Sequence, residues 1–113
     1  MSDILVIDDD PAVYDILRMY LERSGMRLSW AADGCEGAKQ ALASAPDLVI
    51  VDVMLPDING QAVCELIRAD PTMSDIKIIC ISGMAEEDKI ADLKKSGADD
   101  FLHKPLDIDE LLR

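Results

Sequence analysis

Apolar positions along this chain follow two rhythms. Nearly unbroken aliphatic runs at residues 4–7, 48–51 and 76–81 alternate with longer stretches in which apolar residues recur every third or fourth place. The first rhythm belongs to strands buried on both faces, the second to amphipathic helices. In order, the pattern predicts a strand over residues 4–7 and a helix entered at Pro11. That helix carries Val13, Ile16, Leu17, Tyr20 and Leu21 to a stop at Ser24-Gly25. A strand with one exposed face follows over residues 26–31, then an alanine-rich helix opened by Asp33-Gly34 and stopped by Pro46. A buried strand runs from Leu48 to Asp52, and after Gly60 a helix with Val63, Leu66 and Ile67 on one face ends at Asp70-Pro71. Residues 76–81 form a further strand, 86–97 a highly charged helix, 99–103 the last strand, and 107–113 the start of a last helix through Ile108, Leu111 and Leu112.

Strand and helix therefore alternate five times, which calls for right-handed crossovers and a parallel sheet covered on both faces. No repeat or linker interrupts the alternation, and 113 residues suffice for one domain with one aliphatic core. Periodicity leaves the order of the strands open.

Composition narrows the function. Half of the residues are hydrophobic, only 4% are aromatic, and the net charge is −12. Nucleic-acid binding is opposed by that balance, because phosphate contacts need the Lys and Arg that are here in the minority. Cys35, Cys64 and Cys80 are odd in number and lack metal-ligand spacing, so they read as small hydrophobes in a reducing compartment. The start of the chain offers a four-residue apolar run, neither a signal peptide nor a membrane span, and a cytoplasmic location with no membrane contact is expected.

The chemistry gathers where strands end. Residues 48–60 read L-V-I-V-D-V-M-L-P-D-I-N-G, placing Asp52 at the carboxyl end of a buried strand, where open α/β sheets bind ligands. Asp8 and Asp9 follow the first strand, Ser82 the fourth and Lys104 the fifth. Three carboxylates at one sheet edge imply raised pKa values or a hard cation; oxygen ligands favour Mg²⁺, which prefers one or two carboxylates plus phosphate. With Lys104 as a point charge and Ser82 as a donor, the edge becomes an anion site with Asp52 as nucleophile and an acyl phosphate as product.

These residues resemble the receiver domain of bacterial two-component response regulators. The resemblance covers essentially all of residues 1–113 and rests on I-L-V-I-D-D-D, L-V-I-V-D-V-M-L-P-D-I-N-G, I-C-I-S-G and G-A-D-D-F-L-H-K-P-L taken in that order. It implies a flavodoxin-like (βα)5 three-layer sandwich with parallel sheet order 2-1-3-4-5. By the same resemblance, Asp52 accepts a phosphoryl group from the phosphohistidine of a sensor histidine kinase or a histidine phosphotransfer protein. Asp9, Asp52 and the backbone carbonyl of Met54 bind Mg²⁺, for which Mn²⁺ can substitute, and Asp8 contributes chiefly through water. Ser82 and Lys104 receive the phosphoryl oxygens, and Phe101 occupies an aromatic switch position. The domain is then a phosphoacceptor rather than an enzyme, and the surface around the fourth helix and fifth strand, with Asp88, Lys89, Asp92, Lys95 and Asp99, is expected to change and to support an activated homodimer.

Some residues depart from the family or have a plainer reading. Ser82 keeps the hydroxyl of the commoner Thr without its methyl, and Phe101 lacks a phenol and reads equally as a core strand residue. Asp10 suits helix entry, Asp57 and Asn59 suit a turn, His103 a strand edge, and Trp30 and Tyr20 need only packing. An aspartate-nucleophile phosphatase would need a general acid two residues past the nucleophile, where Met54 stands. A flavodoxin-type cofactor binder would need a Gly-rich phosphate loop where this chain has Asp-Asp-Asp-Pro. An interaction module independent of phosphorylation is the remaining alternative. Met54 and Met84 hold the positions best able to align a hydrolytic water, and a thioether aligns it poorly, so a long-lived aspartyl phosphate is expected. The last predicted helix has room for about two turns, pointing to a longer parent protein with an output domain or partner protein.

Overall fold

The computed structural model describes residues 3–83 and 87–104, with the side chains of 87–90 left out. Five strands, β1 (Asp3–Ile7), β2 (Arg27–Ala31), β3 (Leu48–Asp52), β4 (Lys77–Ser82) and β5 (Asp100–His103), alternate with α1 (Pro11–Glu22), α2 (Gly34–Ser44), α3 (Gly60–Arg68) and α4 (Glu87–Lys95). A single 3-10 turn over Pro71–Met73 follows α3. The expected last helix at 107–113 and Met84 lie outside the described residues.

All four strand pairings are parallel, and the sheet order is β2-β1-β3-β4-β5. This is the flavodoxin-like order. The chain leaves β1 toward one edge and returns through β3 toward the other, so a crevice opens between the ends of β1 and β3.

Strand alternation divides the core in two. Leu5, Ile7, Val49, Val51, Ile78 and Cys80 point toward α2 and α3 and pack with Ala41, Val63, Cys64, Ile67 and Leu93. Ile4, Val6, Ile50, Ile79, Ile81 and Leu102 point the other way and meet Leu17 and Leu21 of α1. Both faces of β1, β3 and β4 are thus covered, which is why their sequences read as runs rather than as alternation. β2 lies at an edge and is mostly exposed apart from Ala31. Tyr20, expected to pack, is instead largely exposed, because Leu17 and Leu21 occupy the inward stripe of α1.

Helix entries follow the chemistry of their first residues. Asp10, Asp33 and Asn59 each accept a hydrogen bond from a backbone N–H in the first turn of α1, α2 and α3. Asp10 is therefore a cap, as expected. α2 ends on Ala45 in the left-handed region at φ 47°, where its N–H still reaches the Ala41 carbonyl. Pro46 then forbids continuation.

At the end of the sheet remote from the crevice, the guanidinium of Arg68 donates to the carbonyls of Gly97 and Met73 and pairs with Asp99 at 2.9 Å. Asp99 also accepts the Ile78 N–H. Asp99 was expected on an open mixed-charge face; it is instead committed within the chain, because an uncapped amide at the start of β4 needs an acceptor.

Candidate functional site

Among the described residues, the buried polar or charged side chains are Asp8, Asp52 and Ser82, exposed to 0%, 4% and 2%. All three lie at the carboxyl edge of the sheet. The parallel topology brings these three strand ends to one edge of the sheet.

Asp52 is the last residue of β3. Its Oδ1 accepts the Met54 N–H at 3.0 Å, and its Oδ2 accepts from Lys104 Nζ at 3.0 Å. Across the crevice, Asp8 Oδ1 accepts the Asp10 N–H at 2.9 Å. Asp8 Oδ2 sits 3.2 Å from the same Lys104 ammonium but finds no partner in hydrogen-bonding geometry, a buried oxygen left with charge contact alone. Asp9 is exposed, yet oxygens of Asp8, Asp9 and Asp52 all fall within 4.8 Å of one another.

Three carboxylates thus face one ammonium. Burial pushes the Asp8 carboxyl above its ordinary range, and the charge of Asp52 adds to this, against the pull of the Asp10 amide and of Lys104. Partial burial works to discharge Lys104, but its contacts to Asp52 and Asp8 outweigh that and raise its pKa. The ammonium is therefore fixed as charged, and the surplus of negative charge remains. A cluster of carboxylate oxygens with one buried oxygen unsatisfied fits a hard divalent cation.

Ser82 ends β4 opposite His103 and accepts the Lys104 N–H on its carbonyl at 2.9 Å. By alternation its side chain falls on the α3 face with Cys80, whereas Asp52 falls on the α1 face with Ile50. Phe101 lies beside Cys80 in register and packs half-buried on that same α3 face, edge-on to His103 at 5.1 Å. Met54 is 72% exposed above the crevice. His103 is exposed on the edge strand and takes no part in the carboxylate cluster.

Two supports escaped the sequence reading. Asp57, expected only to shape a turn, accepts the N–H groups of Gly34 and Cys35 at 2.8 Å each, tying the loop after Asp52 to the first turn of α2. The Cys35 thiol and these amides hold the Asp57 carboxyl well below the usual carboxylate range. Trp30, expected only to pack, donates its indole N–H to the Asp8 carbonyl at 2.7 Å and stacks on Tyr14 at 5.6 Å. The carboxylate of Asp57 and the N–H of a half-exposed indole were the available signals, but their partners lie more than 20 residues away. Of the cysteines, Cys64 and Cys80 are buried with sulfurs 3.6 Å apart, while Cys35 is exposed rather than a core hydrophobe.

The profile of one family, the response regulator receiver domain, matches residues 4–113. The chain is 41% identical over 113 residues to the DNA-binding dual master transcriptional regulator RpaA of Synechocystis sp., covering 99% of this chain and 46% of that protein. It is 41% identical over 103 residues to the alkaline phosphatase synthesis transcriptional regulatory protein PhoP of Bacillus subtilis, covering 90% and 42%. The chain thus spans about half the length of the curated relatives it matches. Among solved structures, a two-component response regulator from Clostridium difficile superposes with a TM-score of 0.91 at 28% identity, covering 99% of this chain and 90% of that one. The chemotaxis protein CheY4 of Vibrio cholerae gives 0.92 at 26%, covering 99% and 93%.

Proposed function

Since the chain belongs to the response regulator receiver family, we propose that Asp52 is its phosphoacceptor and that the crevice performs Mg²⁺-dependent phosphoryl transfer from a phosphohistidine. The observation that carries this reading is the shared ammonium: Lys104 Nζ contacts both Asp52 Oδ2 and Asp8 Oδ2, at 3.0 and 3.2 Å. An acceptor carboxylate buried to this degree and held at both oxygens is oriented before a donor arrives, which removes orientational entropy from the attack. A carboxylate oxygen of Asp52 bonds to phosphorus, the phosphorus–nitrogen bond breaks, and the imidazole leaves with the electron pair. Lys104 then exchanges its contact with the carboxylate for one with the incoming phosphoryl oxygens, and the Ser82 hydroxyl donates to another.

Asp8, Asp9 and Asp52, with the backbone carbonyl of Met54, would hold Mg²⁺, and Mn²⁺ in its place. Bound there, the ion supplies positive charge that offsets the carboxylate cluster and the phosphoryl oxygens. Phe101 shares the α3 face with Ser82, so a movement of Ser82 toward the phosphoryl group opens space into which the ring can pack. That is the route by which occupancy at Asp52 alters the surface of α4 and β5.

The donor is a sensor histidine kinase or a histidine phosphotransfer protein, in the cytoplasm. No helix among the described residues is long and apolar enough to cross a membrane. The output is carried by a further domain or partner protein, and the transcriptional names of the 41%-identical relatives favour gene control. An activated homodimer through the α4–β5 surface follows from the same reading, with Asp92 and Lys95 rather than Asp99 available to it.

Intact-mass analysis after incubation with acetyl phosphate and Mg²⁺ tests the assignment. A single phosphoryl adduct is expected, absent in Asp52→Asn and absent in EDTA. An undiminished adduct in Asp52→Asn would place the acceptor elsewhere.

A further inference from the structure

The Asp9 side chain is the one member of the acidic cluster that no hydrogen bond or ion pair holds among the described residues, although its oxygen lies within 4.8 Å of those of Asp8 and Asp52. Its position is therefore set by the backbone that carries it. That backbone is fixed on both sides. Toward the chain start, the Asp8 N–H donates to the Ala31 carbonyl at 3.1 Å and the Asp8 carbonyl accepts the Trp30 indole N–H at 2.7 Å. Toward the chain end, the Asp10 N–H donates to Asp8 Oδ1, and the Asp10 side chain caps α1 through Ala12.

Within this set Trp30 alone supplies a side-chain donor, and it does so from a different element of the fold. Trp30 stands at the exposed edge of the sheet, opposite Val6 in register, and its ring lies over Tyr14 at an interplanar angle of 15°. Tyr14 sits one helical turn beyond the Asp10 cap. The stacked pair therefore bridges β2 to α1 across the Asp8-Asp9-Asp10 loop, and the indole N–H is aimed at the peptide group joining Asp8 to Asp9. A carbonyl held in this way restrains the plane of that peptide and so the place of the Asp9 Cα, and the Asp10 N–H bond to Asp8 Oδ1 restrains the rotation that remains. Packing alone would not require the donor: a phenylalanine could stack on Tyr14 equally well.

We infer that Trp30 is a positioning residue for the acidic crevice, acting through the Asp8–Asp9 peptide to hold Asp9 in place for a divalent cation. The inference rests on the metal reading proposed above and assigns a residue to it that the strand-end pattern does not include. Supports outside the ligand set tune metal affinity by orienting the groups that bind. Loss of one such hydrogen bond should weaken binding about threefold to tenfold.

Trp30 is the single tryptophan of the chain, so analogue incorporation changes this site alone. Replacement by benzothienylalanine keeps the ring shape and removes the N–H; replacement by 7-azatryptophan keeps the N–H. The probe is Mn²⁺, its dissociation constant read by electron paramagnetic resonance of the free ion, with melting temperature in EDTA as the control for folding. The benzothienyl protein should bind Mn²⁺ about threefold to tenfold more weakly, the azatryptophan protein within twofold of the original, and Trp30→Phe should match the benzothienyl protein. Unchanged affinity in the benzothienyl protein, or equal loss in both analogues, overturns the role of the indole N–H while leaving the metal reading intact. An original protein that binds no Mn²⁺ overturns the metal reading and this inference with it.

Discussion

Replacing Gly60 with alanine should disturb the acceptor strand without touching any charged group. Gly60 opens α3, and its N–H donates to the Val53 carbonyl at 2.9 Å. A Cβ built there would lie 2.7 Å from the Asp52 carbonyl oxygen and 2.9 Å from Val53 Cα, against the 3.4 Å at which ordinary contact begins. The obstacles are backbone atoms, so no side-chain rotation relieves the crowding, and either the first turn of α3 or the end of β3 must retreat by more than half an ångström. Overpacking of this kind costs about 1–3 kcal/mol, and the better helix propensity of alanine returns under about 1 kcal/mol of it. The expected net loss is about 1–2 kcal/mol by urea unfolding at unchanged m-value, or about 4–8 °C in melting temperature for a domain of this size. Because the displaced atoms include the Asp52 carbonyl, phosphorylation should suffer more than folding: a shift approaching an ångström can cost on the order of a hundredfold in rate. The assay is initial phosphorylation by acetyl phosphate at a temperature where both proteins are fully folded. Gly83→Ala is the stability control, since among the described residues the nearest atom to its Cβ would be Lys104 Cβ at 3.9 Å. Stability within about 0.3 kcal/mol of the original together with a phosphorylation rate within twofold would refute the reasoning.

A hundredfold excess of Mg²⁺ over its dissociation constant should stabilise the fold by about 2.7 kcal/mol, and Asp9→Ala should abolish that rise; identical melting of the original protein in EDTA and Mg²⁺ would count against a metal site. The raised Asp8 pKa gives a sign in EDTA: proton uptake stabilises the fold fully below the ordinary value of 3.8, and this is lost as pH climbs through the higher folded value. Asp8→Asn should then be more stable than the original at neutral pH, the gap closing on acidification, and a gap that widens in acid would be the contrary result. Arg68→Met, by removing the donor to the Gly97 carbonyl and the cationic partner of the exposed Asp99, should cost about 1–2 kcal/mol in urea unfolding while leaving the phosphorylation rate of the folded protein within twofold. Met54→Asn and Met84→Glu should each speed first-order loss of phosphate in Mg²⁺ by supplying a group that aligns water; unchanged or slower decay in both would remove these positions as determinants of lifetime.

What could be read from the chain beforehand was whatever depends on near neighbours or on pattern. The run at residues 48–51 is apolar at every position because both faces of β3 are covered, and that fact is written in β-branched residues. Asp10 and Asp33 act within three residues of themselves, so their place at helix entries was open to inspection, whereas Asn59, read as a turn residue, caps α3 at the same range. Strand order was not, since hydrophobic period says nothing about which strands adjoin; it came from the family resemblance and agrees with the observed order. The acidic cluster was legible because each member ends a strand, and parallel strands bring their ends to one edge. Asp57, Trp30 and Arg68 were misjudged or passed over for a common reason: apart from the bond of Arg68 to Met73, the hydrogen bonds described for them span 22 to 31 residues and depend on how loops lean once the sheet is closed. The left-handed Ala45 was likewise unforeseen, because the sequence offers Pro46 as a sufficient stop and no glycine at the turn.

The side-chain alternation that sends Asp52 to one face of the sheet and Ser82 and Phe101 to the other has a thermodynamic corollary. On the reading proposed above, a ligand of the surface next to Phe101 senses phosphorylation at Asp52 without touching that carboxylate. Linkage then runs in both directions. If phosphorylation tightens a ligand of the Phe101 face by about tenfold, that ligand must in turn favour the phosphorylated form of Asp52 by the same tenfold at equilibrium. The downstream partner would thus be a determinant of how much signal the domain retains, and phosphorylation levels measured on the isolated domain would understate those reached when the partner is present.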